Sequence, residues 1–510
     1  MKQRLSDRTR YSMKNAGIAM ASKIIAIVFG FFARMVFTHT LSMEYAGING
    51  LYTNILGALN AANLGIGTAL VYTIYDPIAR GDILKQRALM KLYDRICRIV
   101  ALIVAAIGLI MYPVLRVLLK NTGDVENIFV IYGMFLAATI LSYFMMYRSM
   151  IFLANQRNYV NDMIDSLFLV IQNIVQMAVL ALFRNYYLYL LIYVLAVPLR
   201  NYVIAYHAKR DYPDVFVEGE DSISEQESAE VFRNIRAMLM HKVGTVVINN
   251  IDNLTLTGIV GITAVGMYSN YYLIIGSIRQ IIDRIVFGIA GSVGNLGATE
   301  NSEHVRKVFL GTFFMVAVGY GMAAIALYEL VSVFVSASFG PEYVFPKLVT
   351  FILCTNFFFN GLRQASLIFR DSLGLFWHDR YKTMIESLVN LIASIILARK
   401  MGTAGVFFGT LVSIVGISMW VEPLVLYREY FHAPVREYFL RLFRYTVMFA
   451  AAWGITDFVN RIIPWPNEIA EYCGMIGICM LIPAAILIGL NAGSEEFRFV
   501  MSHLRLKKGG

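Results

Sequence analysis

Two basic residues, Lys23 and Arg34, stand in an apolar stretch near the start of the chain that is long enough to cross a membrane. Eleven residues turn an α-helix by three turns and roughly 20°, so both side chains are expected on one face, about 16 Å apart. A cation inside a membrane is costly and usually faces a water-filled cavity or an ionic partner. For Lys23 the alternative is a side chain that extends to the membrane surface. For Arg34 the alternatives are the outer surface or a structural ion pair.

Three more charged residues stand close together in a later apolar stretch. Arg279 and Asp283 are four residues apart and can pair on one helix face, and Arg284 follows them. A self-neutralised structural pair and a cavity site are both compatible with this spacing.

Polar residues recur on one face of the segment around residue 360. Asn356, Asn360, Arg363 and Arg370 follow one another at spacings of four, three and seven residues. This stripe predicts either the wall of a polar cavity or a set of hydrogen bonds between helices.

The segment NNIDN, residues 249–253, is too polar to face lipid. It adds Asn249, Asp252 and Asn253 to the candidate cavity residues, and Asp252 is the candidate partner of Arg34. No chemistry of another kind is indicated. The sequence holds no HExxH and no phosphate-binding GxxxxGK[ST], and its four cysteines form no CxxC pair. We expect no metal, no cofactor and no catalytic residues.

The elements that must carry these residues are membrane-spanning helices. Of 510 residues, 58% are hydrophobic and only 15% are charged, against about a quarter charged in soluble proteins. Runs of about 20 apolar residues recur along the chain, and backbone groups in lipid need internal partners, so the runs are predicted to be helices. The fold class is an all-α polytopic membrane protein with about 14 spans. Their predicted limits are 16–40, 46–75, 96–119, 128–153, 163–183, 187–207, 237–258, 264–294, 307–335, 344–370, 383–399, 403–427, 443–463 and 470–490.

Basic residues orient these spans, because Lys and Arg concentrate in cytoplasmic loops. With the N-terminus inside, the basic loops RGDILKQRALMKLYDR, HDRYK and REYFHAPVREYFLRLFR are all cytoplasmic, and so are both termini. The net charge of +10 follows from this topology and indicates no nucleic-acid partner. The connections expected outside contain few cations: Arg116, Lys120, Arg184, Lys347, Arg399, Lys400 and Arg461.

The chain contains an internal repeat. At an offset of 219 residues, YAGINGLYTNILGAL (45–59) lies over AVGMYSNYYLIIGSI (264–278), and at 221 NDMIDSL (161–167) lies over TMIESL within 381–388. Asp165 and Glu386 match in the second pair, and an acid near a helix start is favoured by the helix dipole. An even number of spans per copy predicts a parallel repeat around a central cavity. The predicted domains are an N-terminal lobe 1–208, an acidic cytoplasmic linker 209–236, a C-terminal lobe 237–430, and residues 431–510 with spans 13 and 14.

The segments EYAGINGLYTNILGALNAANLGIGTALVYTIYDPIARGD and NIDNLTLTGIVGITAVGMYSNYYLII resemble bacterial oligosaccharide flippases, the Wzx-like members of the multidrug/oligosaccharidyl-lipid/polysaccharide exporter superfamily. The resemblance implies two six-helix bundles forming a V. It also implies transport of an oligosaccharide on undecaprenyl pyrophosphate from the cytoplasmic to the outer leaflet of the bacterial inner membrane, with Arg34, Lys23, Arg279, Arg284 and Arg363 as candidates for the anionic headgroup.

The resemblance also carries a departure and several expectations. Relatives often have an acid before LGIG, where this chain has Asn63, so coupling to a proton or sodium gradient is left open. We expect a monomer among membrane lipids, in functional association with a polymerase. The alternatives are a lipid II flippase of peptidoglycan synthesis, a drug/cation antiporter, which would need an acidic cavity, and a membrane polymerase or glycosyltransferase, which would commonly carry a long external loop. The sugars and the polysaccharide pathway are not determined by the sequence.

Overall fold

The computed structural model describes residues 21–22, 24–119, 125, 127–155, 157–217, 251–287, 293, 296–297, 300–375, 378–379, 381–464 and 468–506. For residues 58–72, 76, 79, 118, 285, 287, 468–470 and 503–506 it describes the backbone only.

The described chain consists of helices and their connections, and these residues contain no β-strand. The helices are, in chain order, α1 Ile24–Thr40, α2 Met43–Arg80, α3 Ile83–Leu118, α4 Ile128–Ser142, α5 Ser149–Ala154, α6 Tyr159–Phe183, α7 Tyr186–Asp211, α8 Ile251–Val260, α9 Ile262–Phe287, α10 Ser302–Phe339, α11 Lys347–Ser372, α12 Lys382–Met401, α13 Thr403–Phe431, α14 Arg436–Ile462, α15 Glu468–Gly489 and α16 Glu495–Leu506.

A helix covers the described part of each predicted span, which confirms the all-α polytopic fold class. The fourth span is the bent pair α4 and α5, which meet at 41°. Within the described residues, six helices are long and apolar enough to cross a membrane, or seven if the bent pair is one span. Large apolar side chains such as Leu102, Ile110, Leu182 and Leu481 are more than two-thirds exposed. Such surfaces are unfavourable in water and are suited to lipid.

Polar residues mark the helix boundaries. Asp82 caps α3, Asn185 caps α7 and Asn301 caps α10, each accepting a hydrogen bond from a backbone N–H three residues on, at 2.8–3.0 Å. Gly261 and Gly402, with φ of 126° and 57°, end α8 and α12. Both glycines lie in connections predicted to be extracellular and short.

The chain divides into two compact units, residues 1–266 and 267–510. The first unit has a core of α3, α5 and neighbouring residues around Tyr93, Ile151 and Phe152. In the second unit, the rings of Phe309, Phe313 and Tyr438 stack between α10 and α14. All four cysteines are free thiols, and only Cys473 among them is exposed.

Candidate functional site

Arg34 lies on α1 beside the start of α9, within the first unit. Its Nη2 donates a hydrogen bond to the carbonyl oxygen of Gly266, with 3.4 Å between the two atoms. Its guanidinium carbon is 5.3 Å from the centre of the Phe37 ring, a cation–π contact. The residue is half-buried. These contacts orient the guanidinium.

Aromatic rings from three helices surround this position. Phe37 lies 5.3 Å from Tyr189 and 5.7 Å from Tyr186, measured between ring centres, and Tyr45 lies 5.0 Å from Tyr186. The Tyr186 hydroxyl donates a hydrogen bond to Asn49 Oδ1 at 3.1 Å. These tyrosines were not among the residues predicted for the site. The signal available was the run NYYLY at the start of span 6.

The polar segment of span 7 lies partly outside the described residues. Asn249 and Lys23 both fall outside them, so their predicted roles stay predictions. Asn253 is buried, and its Oδ1 accepts no hydrogen bond from the described part of the chain. Asp252 is half-buried on α8, and its predicted pairing with Arg34 also stays a prediction.

The pair predicted on span 8 is present. Arg279 Nε is 3.4 Å from Asp283 Oδ2, and the other carboxylate oxygen of Asp283 accepts a hydrogen bond from the Tyr320 hydroxyl. Arg279 is thus compensated within its own helix. Arg284 is exposed and makes no ion pair or hydrogen bond with any described residue. Of the two arginines of α9, Arg284 is therefore the better placed to bind an anion.

Arg363 belongs to a buried cluster of four charges. Its guanidinium contacts Glu386 at 3.1 Å and Glu422 at 2.8 Å. Lys382 Nζ contacts the same two carboxylates, at 2.9 Å from Glu386 and 2.6 Å from Glu422. The side-chain exposures are 16% for Arg363, 8% for Glu386, 3% for Lys382 and 0% for Glu422. Two cations and two anions form a neutral network that joins α11, α12 and α13.

This placement differs from the expectation that Arg363 is a free cavity cation. Two carboxylates contact the guanidinium group of Arg363, because helix packing places Glu386 and Glu422 beside it. Glu422 was missed by the sequence analysis, which weighed the basic residues inside spans and not this acid. The sequence feature that could have indicated Glu422 is a single carboxylate beside Pro423 in an apolar run.

The polar stripe on α11 also pairs with neighbouring helices. Asn356 is buried and its Nδ2 donates to the carbonyl oxygen of Phe407 on α13 at 2.8 Å. Arg370 forms an ion pair with Asp379 and a 2.7 Å ion pair with Asp371. Asn360 is half-buried. At Asn356 and Arg363 the interactions join α11 to neighbouring helices, which is the second interpretation given for this stripe. Arg370 instead pairs with its neighbour Asp371 and with Asp379 in the following loop.

The acids matched by the repeat each meet an arginine. Asp165 Oδ1 is 3.4 Å from Arg200 Nε, and Glu386 pairs with Arg363. Both acids lie in the second turn of their helices, whereas the predicted span limits of 163 and 383 would put them in the first. An ion pair within each unit therefore explains them better than the helix dipole.

Two further features bear on ligand chemistry. No group of three or more His, Cys, Asp or Glu side chains is arranged to hold a metal in the part of the chain that the structure describes. A cavity of about 380 Å³ opens between α10, α11 and α14, and five of its ten lining residues are aromatic. The largest side chains along it are Tyr328, Phe351, Phe359, Phe449 and Trp453.

Comparison with known proteins places this fold. No protein-family model matches the chain, and no curated protein matches it in sequence. Among solved structures, it is similar to the lipid II flippase MurJ in an inward closed conformation, with a TM-score of 0.67 and 12% identity over 93% of this chain and 98% of MurJ. It is also similar to an inward-facing multidrug resistance MATE family transporter of the MOP superfamily, with a TM-score of 0.60 and 12% identity over 81% of this chain and 98% of the transporter. The chain is a multi-pass membrane protein with the fold that MurJ and the MATE transporter share.

Proposed function

We propose that this chain is a flippase, which moves an undecaprenyl-pyrophosphate-linked oligosaccharide repeat unit from the cytoplasmic to the outer leaflet for surface polysaccharide synthesis. The observation that carries the proposal is the extent of the likeness to MurJ. The region that aligns with MurJ covers 93% of this chain. Residues 1–430 make up a smaller share of the chain, so the aligned region extends into the two helices beyond the repeat. The region that aligns with the MATE transporter covers 81% of this chain. Residues 1–430 are long enough to account for that region without the two additional helices.

The basic residues supply headgroup chemistry for this proposal. A pyrophosphate needs cationic hydrogen-bond donors, and a guanidinium can contact two of its oxygens at once. Arg34 is oriented by Gly266 and Phe37 and is half-buried. Arg284 is exposed and lacks a described partner. Each of these two arginines is our candidate for headgroup binding in its own unit, with Arg279 as a paired neighbour of Arg284, and Arg363 is left in its structural cluster.

The aromatic cavity beside α14 supports a lipid-linked substrate. Its lining by Phe351, Phe449 and Trp453 offers apolar contacts to a hydrocarbon chain, and the lining residue Asp457 is already paired with Arg461. A polyprenyl chain that stays in this cavity would remain in an apolar environment while the polar headgroup crosses. The two helices beyond the repeat then have a role that a drug transporter does not need.

The setting follows from the same proposal. The chain would act by alternating access in the bacterial inner membrane, as a monomer with both termini in the cytoplasm, and would deliver its product to a polymerase. Coupling to a proton or sodium gradient would drive the cycle. The alternative with a specific observation behind it is transport of lipid II, because MurJ is a lipid II flippase.

The experiment is a transport assay with two substrates. The purified protein is reconstituted in vesicles that contain either an undecaprenyl-pyrophosphate-linked repeat-unit oligosaccharide or lipid II, and an impermeant lectin or glycosidase measures the fraction of sugar exposed on each side. Protein-dependent movement of the repeat unit supports the proposal. Movement of lipid II alone would establish the alternative, and no movement of either with export of a lipophilic cation would overturn both.

A matched pair of variants keeps the assay specific. Arg284→Ala removes a proposed headgroup contact, whereas Arg428→Ala removes another strongly exposed arginine, whose side chain is 86% exposed. Only Arg284→Ala should slow transport. An equal loss in both would point to a general effect of surface charge.

A further inference from the structure

Glu329 and Asn460 form a polar contact between α10 and α14, in the second unit. Asn460 Nδ2 donates a hydrogen bond to Glu329 Oε2 at 3.1 Å. The same Nδ2 also donates to Cys479 Sγ on α15, with 3.9 Å between N and S. The contact joins the helices beyond the repeat to the ninth span.

Two buried oxygen atoms at this contact lack a hydrogen-bond donor among the described residues. Glu329 Oε1 and Asn460 Oδ1 are both buried, and neither accepts a hydrogen bond from any residue that the structure describes. Buried acceptors without donors are uncommon in proteins because each forfeits its hydrogen bonds to water. Here two of them belong to side chains that are already bonded to each other. A single proton on one would supply a donor for the other.

No ion pair with a described residue stabilises an ionised Glu329 carboxylate. No Lys or Arg of the described chain lies within ion-pair distance of Glu329, and Arg461 already pairs with Asp457 at 2.6 Å. The titratable groups that face Glu329 from the packed helices are Lys347 and Cys354 on α11, Asp457 and Arg461 on α14, and Cys479 on α15. An uncompensated charge between apolar helices is costly, and a carboxyl group avoids that cost by binding a proton.

We propose that Glu329 is a proton-binding site, in which the side chain is a neutral carboxylic acid that carries its proton on Oε1 and donates it to Asn460 Oδ1. The acid and the amide then form two hydrogen bonds, O–H···O and N–H···O, and leave no orphan acceptor. The pair holds span 13 against span 9 without net charge. The site is separate from the arginines assigned to the headgroup and does not depend on the identity of the transported molecule.

Infrared spectroscopy tests the protonation state directly. The C=O stretching band of a carboxylic acid is distinct from the bands of a carboxylate, and it shifts when the acidic hydrogen is replaced by deuterium. We expect purified wild-type protein at neutral pH to show such a band that is lost in Glu329→Gln. The matched control is Glu342→Gln, an exposed glutamate, which should leave the band unchanged. A band that is identical in wild type and Glu329→Gln would overturn the proposal.

Thermal stability provides a second readout that does not need transport. The Gln amide can donate to Asn460 Oδ1 as the acid does, so Glu329→Gln should unfold near the wild-type temperature, whereas Glu329→Ala should unfold several degrees lower. The alternative ligand for two orphan oxygens is a sodium ion. Stabilisation of wild type by sodium chloride over choline chloride that disappears in Glu329→Gln would assign the site to sodium and reject the proton.

Discussion

Gly47 and Gly266 pack backbone to backbone in the first unit. A Cβ atom on Gly266 would lie 2.7 Å from the carbonyl oxygen of Met43 and 3.0 Å from the nitrogen of Gly47. A Cβ atom on Gly47 would lie 2.1 Å from the carbonyl oxygen of Ile262. The start of α2 and the start of α9 therefore approach more closely than any residue with a side chain allows at these two positions.

This contact follows the register of the internal repeat. The offset of 219 residues maps Met43 onto Ile262 and Gly47 onto Gly266. Gly47 packs against Ile262, and Gly266 packs against Met43. The two contacts are therefore made by two pairs of residues that the repeat offset matches.

Tyr52 and Tyr271 are matched by the same offset of 219 residues and lie away from that contact. Both are completely buried. The Tyr52 hydroxyl donates to the carbonyl oxygen of Ile128 at the start of α4. The Tyr271 hydroxyl accepts from the backbone N–H of Phe345 just before α11. In each unit the matched tyrosine therefore anchors the start of the corresponding fourth helix.

The first prediction concerns the glycine contact. Gly266→Ala should force α2 and α9 apart and disturb the carbonyl that Arg34 binds, because the new methyl group would overlap backbone atoms. Overpacking of this kind typically costs about 1–3 kcal/mol. Thermal unfolding in detergent should show a lower midpoint. Gly57→Ala is the control, since its Cβ would meet no atom within 4 Å. Equal midpoints for the two variants would contradict the packing.

The second prediction separates structure from binding at the charge cluster. Glu422→Gln leaves one excess positive charge among Arg363, Lys382 and Glu386, and Lys382→Met leaves one excess negative charge. Removal of one buried partner typically costs about 3–5 kcal/mol. The double variant is neutral again, so its loss of stability should be clearly smaller than the two single losses combined. Additive losses measured by denaturant unfolding would refute the network.

Much of the fold could be predicted from the sequence because it rests on hydrophobic length. Runs such as 307–335 are apolar apart from Lys307 and Glu329 and a few neutral polar residues, so the helix Ser302–Phe339 follows from composition alone. The Arg279–Asp283 pair was likewise predictable, because a spacing of four residues within one helix brings side chains together.

The partners of Arg363 and Arg34 could not be predicted in the same way. They depend on which helices pack together, and Glu422 lies 59 residues beyond Arg363 in the chain. A lone charge in an apolar run indicates only that something compensates it. Whether this is water, a ligand or a second helix is decided by packing. The same limit explains why the tyrosines around Arg34 and the Glu329–Asn460 contact were missed.

The third prediction concerns topology. In a Cys473→Ser background, which removes the exposed native thiol, a cysteine at Ile259 or Met401 should react with an impermeant maleimide added outside whole cells. A cysteine at Arg210 should react only after the cells are opened. The reason is the concentration of Lys and Arg in the loops expected inside. The opposite pattern of labelling would reverse the orientation, and with it the proposed direction of transport.

The fourth prediction concerns acid sensitivity at the C-terminal helix. Burial acts to raise the pKa of the Glu496 carboxyl, but the hydrogen bond from Arg441 and the charges of Arg441 and Arg444 outweigh it and leave that pKa below its ordinary value. A lowered carboxyl pKa stabilises the fold above about pH 4.3, the ordinary value for Glu, and the effect is lost as pH falls through the lowered pKa.

Glu496→Gln should therefore reduce stability at neutral pH, by about 1–3 kcal/mol for a hydrogen bond to a charged group. The difference from wild type should shrink in acid, where Glu496 is protonated in both states. Thermal unfolding across pH measures this difference. The control is Glu495→Gln, which removes the same charge from an exposed neighbour. A constant difference at all pH values would show that the ion pair does not cause it.

The fifth prediction returns to Arg34. Arg34→Ala should abolish most transport of the lipid-linked oligosaccharide while the protein still inserts and folds, because loss of one charged hydrogen-bonding partner reduces binding about 10- to 1,000-fold. Arg34→Lys keeps the charge and loses the two-pronged fork, so partial transport should remain. The readouts are transport and thermal stability on the same purified variants.

A structural role for Arg34 has a different signature. If Arg34 chiefly pairs with Asp252, Arg34→Ala should lower the unfolding temperature, and Asp252→Ala added to it should partly restore that temperature, because the second change removes the uncompensated acid. If Arg34 binds the headgroup, the double variant should stay as inactive as the single one, whatever its stability. Normal transport by a stable Arg34→Ala protein would rule out the headgroup role, since the proposed pyrophosphate contact would then be dispensable.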